Sequence, residues 1–232
     1  MTENQRTALI LIVLGVIIVT MADISRQRWI YFAVLFPSVI LHEVSHGVVA
    51  LAFGDDTAKR AGRITLNPVA HVDLLGTIIL PLILVLANAP VFGWAKPVPV
   101  NPRNLRNPRQ QSLLVSLAGP ATNIVLALIV AVVLRSTAPE LISRRDVFEV
   151  VYFFGLINVV LATFNLLPIP PLDGSAVIER FLPARWWPGW LRVRQYSFAL
   201  LFLVVFLLPG VLDRLFEESS DLWIGLWDAS YT

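Results

Sequence analysis

Long uncharged stretches, mostly apolar, alternate along the chain with short polar ones. The uncharged runs are Thr7–Ala22, Leu74–Ala95, Gln110–Leu134, Val150–Leu172 and Gln195–Leu212. A sixth stretch, Trp29–Gly54, is free of charge apart from a polar cluster at 42–46. A membrane-crossing helix needs about 20 mainly apolar residues, roughly 17–25, so all six are candidate spans, the first slightly short. The pattern predicts an all-α polytopic membrane protein with five to six transmembrane helices. Thr7–Ala22 reads as a retained helix, because only Arg6 precedes it as a basic residue and no small-x-small cleavage site comes before Asp23. Leu74–Ala95 is interrupted by Gly76, Pro81, Asn88, Pro90 and Gly93, so it either crosses or enters and leaves on one side.

The polar connectors carry their own signals. In Arg63–Pro68, Ile64 and Leu66 alternate with polar neighbours, which suits a short strand ending at a turn. Lys96–Pro102 holds three prolines and must be extended. Together they predict a short membrane-associated β-hairpin or extended region. Trp186, Trp187 and Trp190 suit an interfacial belt, and the tail from Val211 to Trp227 mixes apolar and acidic residues as a surface-lying helix does.

Positive charge argues for a sidedness. With the N-terminus inside and a re-entrant 74–95 segment, the inner side holds Arg6, Lys59, Arg60, Arg63, Lys96, Arg103, Arg106, Arg109, Arg180, Arg185, Arg192 and Arg194, 12 of the 18 basic residues. Full crossing keeps only 8 inside: Arg6, Lys59, Arg60, Arg63, Arg135, Arg144, Arg145 and Arg214. The bias favours the re-entrant element. Composition agrees with a bilayer protein: 56% of residues are hydrophobic and 15% charged, against roughly 25% charged in soluble domains. The absence of cysteine removes disulfides, thiolate ligands and a cysteine nucleophile. A net charge of +2 with scattered basic residues argues against nucleic acid and for contact with anionic headgroups.

The cluster in the second stretch reads His42-Glu43-Val44-Ser45-His46, the H-E-x-x-H metal signature. On a helix the two histidines lie one turn apart on one face and can share an ion. Glu43 is placed to accept a proton from an attacking water. Ionisable groups at membrane depth are functional-site candidates by default. A hydrolytic zinc site uses three protein ligands. Val49 and Ala52 occupy the glycine and third-histidine positions of the extended H-E-x-x-H-x-x-G-x-x-H pattern, and no glutamate lies between Glu43 and Glu140. Asp55, Asp56, His71, Asp73 and Asp173 remain. Asp173 is the best of them, since it sits in a proline-rich break after an uncharged run, where an unpaired carboxylate is costly. Its competing role is to cap the segment after Gly174. His71 suits a bond to a loop carbonyl better than a substrate contact. Gly119 and Asn123 read as packing and interhelical hydrogen-bonding residues.

These motifs resemble a known family. His42 to His46, Gly119-Pro120-Ala121-Thr122-Asn123 and Asn165 through Asp173-Gly174 are similar to the signatures of the site-2 proteases, the M50 intramembrane metalloproteases. Arg63–Pro68 with His71-Val72-Asp73, followed by Gly93–Pro102, resembles a compact bacterial branch lacking PDZ and CBS domains. The resemblance implies one Zn2+ per chain on His42, His46 and Asp173, with Glu43 as base. It implies that Asn165 assists substrate or transition-state binding; the residue is equally suited to satisfying backbone groups freed at the proline break. The expected protein is then a single integral-membrane peptidase domain over 1–232, with its core at about 29–180, an N-terminal helix over 1–28, and a last span and interfacial tail over 195–232. It sits in the plasma membrane, opens to the cytoplasmic side and cuts a transmembrane protein substrate. The sequence leaves oligomeric state open. The alternative is a membrane metal transporter or metal-binding protein, which does not explain a glutamate between the histidines and lacks paired repeats.

Overall fold

The computed structural model describes residues 26–80, 83–84, 94–207 and 209–228. The expected first span, Thr7–Ala22, and most of Pro81–Gly93 lie outside the described residues. The helices are α1 (Arg26–Ala52), α2 (Thr57–Arg60), α3 (Pro108–Ile142), α4 (Arg145–Asn165), α5 (Ser175–Phe181), α6 (Trp187–Gln195), α7 (Ser197–Leu207) and α8 (Pro209–Trp227). Three are long and apolar enough to cross a bilayer: Trp29–Ala52 of α1, Pro108–Thr137 of α3, and α4. The outer face of α3 exposes Ile124, Val125, Leu128, Ile129 and Val132, which suits lipid and not water.

The three long helices pack on one another. Ile30 and Val34 of α1 meet Phe153 and Ile157 of α4. Ala127, Val130, Ala131 and Leu134 of α3 meet Val159 of α4 and Trp223 of α8. Arg26 at the start of α1 pairs with Asp146 and Glu149 at the start of α4, so those two helices run parallel. Arg106 N–H donates to the Phe53 carbonyl (3.3 Å), which brings the start of α3 to the end of α1 and makes α3 antiparallel. The end of α1, the start of α3 and the end of α4 therefore share one end of the bundle.

The described residues account for three of the five to six expected spans. Of the expected last span, Gln195–Leu212, residues 197–207 lie in α7 and 209–212 in α8, with Leu208 outside the described residues. The tail does not lie apart on a surface. It packs against α4 and α3, where Trp223 is fully buried. A notch at Gly155 admits it, since a Cβ there would stand 2.1 Å from the indole ring.

No strand forms among the described residues. The expected hairpin fails because its backbone donors are committed elsewhere. Residues 63–67 are irregular and lead into a 3-10 turn at Pro68–His71. Leu74–Ile79 is a π-helix capped by the Asp73 carboxylate. Residues 94–101 are extended, but Lys96 N–H goes to the His71 carbonyl (2.9 Å), Val98 N–H to Glu43 (2.8 Å) and Asn101 N–H to Asp55 (2.6 Å). Pro97 and Pro99 have no donor to give.

Asp55 anchors this extended segment to the end of α1. It is fully buried and accepts from the Thr57 N–H (3.1 Å) and hydroxyl, the Asn101 N–H and the Asn104 side-chain amide (3.0 Å). Burial alone would raise its pKa, but the hydrogen bonds from Thr57, Asn101 and Asn104 outweigh it and hold the carboxyl below its ordinary value. A depressed carboxyl contributes stability that is fully present above its unfolded pKa of about 3.8 and is lost as pH falls through the folded value. Asp55→Ala is expected to destabilise the fold by on the order of 2–4 kcal/mol near neutral pH. Thermal unfolding in detergent should show that gap narrowing as pH drops below about 4.

Candidate metal centre

His42 and His46 lie on the buried face of α1 and project between α3 and α4. With α1 ending at Ala52, they stand about 9–15 Å from that end at the helical rise per residue. The rings are 4.8 Å apart and nearly perpendicular, at 84°.

Each imidazole is oriented from behind. His42 Nδ1 contacts Asn123 Oδ1 (2.6 Å) and His46 Nδ1 contacts the Val115 carbonyl (2.7 Å). Both partners accept only, so each Nδ1 carries the hydrogen and each Nε2 keeps its lone pair. Asn123 is held in turn: its amide donates to Asn158 Oδ1 (2.7 Å), and the Asn158 amide donates to Ser38 Oγ (2.9 Å) and the Phe154 carbonyl (2.8 Å). Ser38 closes the chain on the Val34 carbonyl (2.8 Å). Ser38, Asn123 and Asn158 are all fully buried. This polar line crosses all three long helices and ends on one imidazole. Outer partners of this kind tune metal affinity by about 10–100-fold. Asn123→Leu is expected to lower zinc affinity by about that factor, measured as metal retained against a graded chelator.

Asp173 reaches the pair from the elbow after α4. Prolines 168, 170 and 171 preclude helix there. Gly174 N–H returns to the Asn165 carbonyl (2.7 Å), and a Cβ on Gly174 would lie 2.2 Å from the Leu166 carbonyl oxygen. Only glycine permits this fold-back, which aims Asp173 at α1. Asp173 Oδ2 lies 3.1 Å from His42 Nε2 and 3.4 Å from His46 Nε2. The expected alternative, capping of α5 by the Asp173 side chain, is not observed.

Three features show that this trio fits a metal ion. Tetrahedral zinc with bonds of about 2.0–2.1 Å separates its ligand atoms by about 3.3 Å, close to the 3.1 and 3.4 Å from Asp173 Oδ2 to the two imidazoles. Asp173 Oδ2 is buried with no aligned hydrogen-bond donor, an expensive state that a cation resolves. Finally, the space between the imidazoles is kept open by Gly119, where a Cβ would sit 2.5 Å from Nε2 of both His42 and His46. The three ligand atoms lie within 4.8 Å of one another.

The other sequence candidates are occupied elsewhere. Asp55 anchors the 101–104 turn, Asp56 pairs with Arg60 (2.7 Å), and Asp73 caps Leu74–Ile79 (2.7 Å to Gly76 N). His71 is buried with Nε2 on the Thr65 carbonyl (2.8 Å), the loop role expected of it. The Asn165 side-chain amide donates to the Leu161 carbonyl of its own helix (3.0 Å). Glu43 is half-buried and accepts from Val98 N–H. Asn158, Ser38 and the void at Gly119 went unread in the sequence as parts of the site. A polar residue inside an apolar run was the available signal for Asn158.

Fold and trio together define a helical membrane protein with a two-histidine, one-carboxylate metal centre. The profile of Peptidase family M50 matches residues 137–208. YwhC of Bacillus subtilis, named as a candidate zinc metalloprotease, is 42% identical over 181 residues, covering 75% of this chain and 78% of its own. Rip2 of Mycolicibacterium smegmatis, named likewise, is 31% identical over 181 residues, covering 78% of this chain and 67% of its own. A zinc metalloprotease of Methanocaldococcus jannaschii, MJ0392, is 23% identical over 163 residues, covering 70% and 37%. No solved structure matches the chain significantly. The chain belongs to peptidase family M50, the site-2 protease family of zinc metalloproteases.

Proposed function

We propose that this protein is an intramembrane zinc endopeptidase that hydrolyses a peptide bond in or near a transmembrane segment of another membrane protein. The observation that carries the reading is the convergence of His42 Nε2, His46 Nε2 and the Asp173 carboxylate inside a three-helix bundle. These three residues hold one zinc ion per chain. When bound, zinc supplies Lewis acidity that lowers the pKa of an attacking water towards about 7 and polarises the scissile carbonyl.

The chain's own groups do the rest. Glu43 accepts the proton of the attacking water and returns it to the leaving amine. Asn123 and the Val115 carbonyl keep both imidazoles in the ligating tautomer. The Asn165 backbone carbonyl, which accepts from Gly174 N–H, helps to fix the elbow that carries Asp173, and its side chain is left to the role of assisting substrate or transition-state binding. A substrate helix hides its carbonyls in hydrogen bonds, so it must unwind before attack. The site stands nearer the end of the bundle that bears α2, residues 94–106 and α5, where Lys59, Arg60, Arg63, Lys96, Arg103, Arg106 and Arg109 collect. That enrichment supports a plasma-membrane protein whose site opens to the cytoplasm, with residues 29–180 as its catalytic core.

Co-expression with a panel of single-span proteins tests the reading. The wild-type chain should yield a shortened product from at least one of them, and the Glu43→Gln chain should not. Zinc flux into vesicles that depends on His42, with no peptide cut anywhere in the panel, would establish a transporter instead.

A further inference from the structure

Arg63 is 6% exposed, its Nε is buried without a partner, and among the described residues no carboxylate pairs with it. A buried cation without a counter-ion is costly, so its position calls for a reason. Its Nη2 donates to the Lys96 carbonyl and to the Pro97 carbonyl (3.4 Å). The Pro97 carbonyl and the Val98 N–H belong to one peptide unit, and that N–H donates to Glu43 Oε2 (2.8 Å). A single peptide therefore stands between a buried guanidinium and the Glu43 carboxylate. A cation at the oxygen end polarises the peptide and strengthens its N–H as a donor.

The surroundings hold this peptide in place. Proline on either side fixes the backbone and removes competing N–H groups, leaving Val98 as the one donor in Pro97–Pro99. Gly47, next to His46, lets the segment lie against α1, since its absent Cβ would stand 3.1 Å from Val98 Cγ1 and 3.2 Å from Ile64 Cγ1. Upstream, Trp94 packs on Gly76, its N–H donates to the Gly76 carbonyl (3.2 Å), and its own carbonyl accepts from Thr77 (2.9 Å). Downstream, Asp55 holds Asn101.

We propose that Arg63 and the Pro97–Val98 peptide form a positioning device for Glu43, fixing one carboxylate oxygen so that the other meets the water. The inference rests on Glu43 being the base. It also bears on substrate pairing: with its N–H committed and no other donor from 97 to 99, this stretch offers a substrate strand carbonyls alone.

The test uses the full-length protein in detergent with a single-span substrate, and four variants. Val98→Pro removes the N–H and keeps extended backbone, while Val98→Ala keeps the N–H. Arg63→Met removes the charge, while Arg63→Lys retains it. Zinc content and thermal unfolding are recorded for each. Val98→Pro and Arg63→Met should lower kcat on the order of 10–100-fold, the effect of a misplaced catalytic group, with KM and zinc content unchanged. Val98→Ala should keep a kcat well above that of Val98→Pro, and Arg63→Lys a kcat above that of Arg63→Met, as partial rescue by the retained N–H and the retained charge. Because the two groups act in series, the Arg63→Met/Val98→Pro double variant should be no slower than Val98→Pro alone. An unchanged kcat in Val98→Pro, or a raised KM at unchanged kcat, overturns the proposal; the second result makes the segment a substrate contact. Should Val98→Pro not fold, the contrast between Arg63→Met and Arg63→Lys decides on the same criterion. Glu43→Gln runs alongside: full activity there sinks the base assignment itself, whereas an inactive Glu43→Gln beside a normal Val98→Pro sinks the positioning device alone.

Discussion

Glu43→Gln is expected to slow cleavage by about 10²–10⁴-fold, the usual contribution of a general base, while zinc stays bound. Glutamine keeps the length and shape of the side chain, and its amide oxygen can still accept from Val98 N–H as the carboxylate does. It cannot take a proton from water. Zinc retention follows because the ligand set comprises His42, His46 and Asp173, whereas the Glu43 carboxylate is held by Val98 N–H. Cleavage rate and metal content are measured on the same preparation. A glutamine variant that cuts at the wild-type rate removes Glu43 from the chemistry.

Gly119→Ala is expected to weaken zinc binding severely and to abolish cleavage, although it adds only a methyl group. That methyl would stand 2.5 Å from Nε2 of His42 and of His46, where an ion bonded at about 2.0–2.1 Å must sit. Both histidines are buried and tied behind to Asn123 and the Val115 carbonyl, so neither can swing aside without breaking a hydrogen bond in the helix core. Zinc affinity should fall by on the order of 100-fold or more, beyond the usual effect of an outer-shell change. Helix content by circular dichroism should hold, because alanine favours a helix more than glycine does. An alanine variant that retains its zinc would show that the space is not the ion's.

The chemistry was more legible in the sequence than the architecture. His42, Glu43 and His46 are fixed by one helical turn, a local relation that spacing alone conveys. Asp173 was legible for an energetic reason, since a carboxylate at that depth needs a partner. Gly119 was read as packing because a void is a property of what surrounds it, and sequence spacing does not reveal which imidazoles flank a glycine. The Ser38–Asn158–Asn123 line links residues up to 120 positions apart, beyond any periodic pattern. The hairpin expected from Ile64 and Leu66 failed because alternation reports which faces are apolar and not where N–H groups are spent; here they go to Glu43, His71 and Asp55. The docking of the tail was hidden in the same way, as hydropathy does not register that Trp223 docks at Gly155 and draws α8 onto the bundle.

The central claim is that two imidazoles from α1 and a carboxylate from the elbow after α4 share one ion. Zinc content of the purified protein, with X-ray absorption at the zinc edge, tests it most directly in the wild type and in Asp173→Ala. The expected result is about one zinc per chain in the wild type, bound by two imidazole nitrogens and carboxylate oxygen at about 2.0–2.2 Å, and loss of most of that metal in Asp173→Ala. Zinc held at full stoichiometry and with unchanged coordination in Asp173→Ala would contradict it.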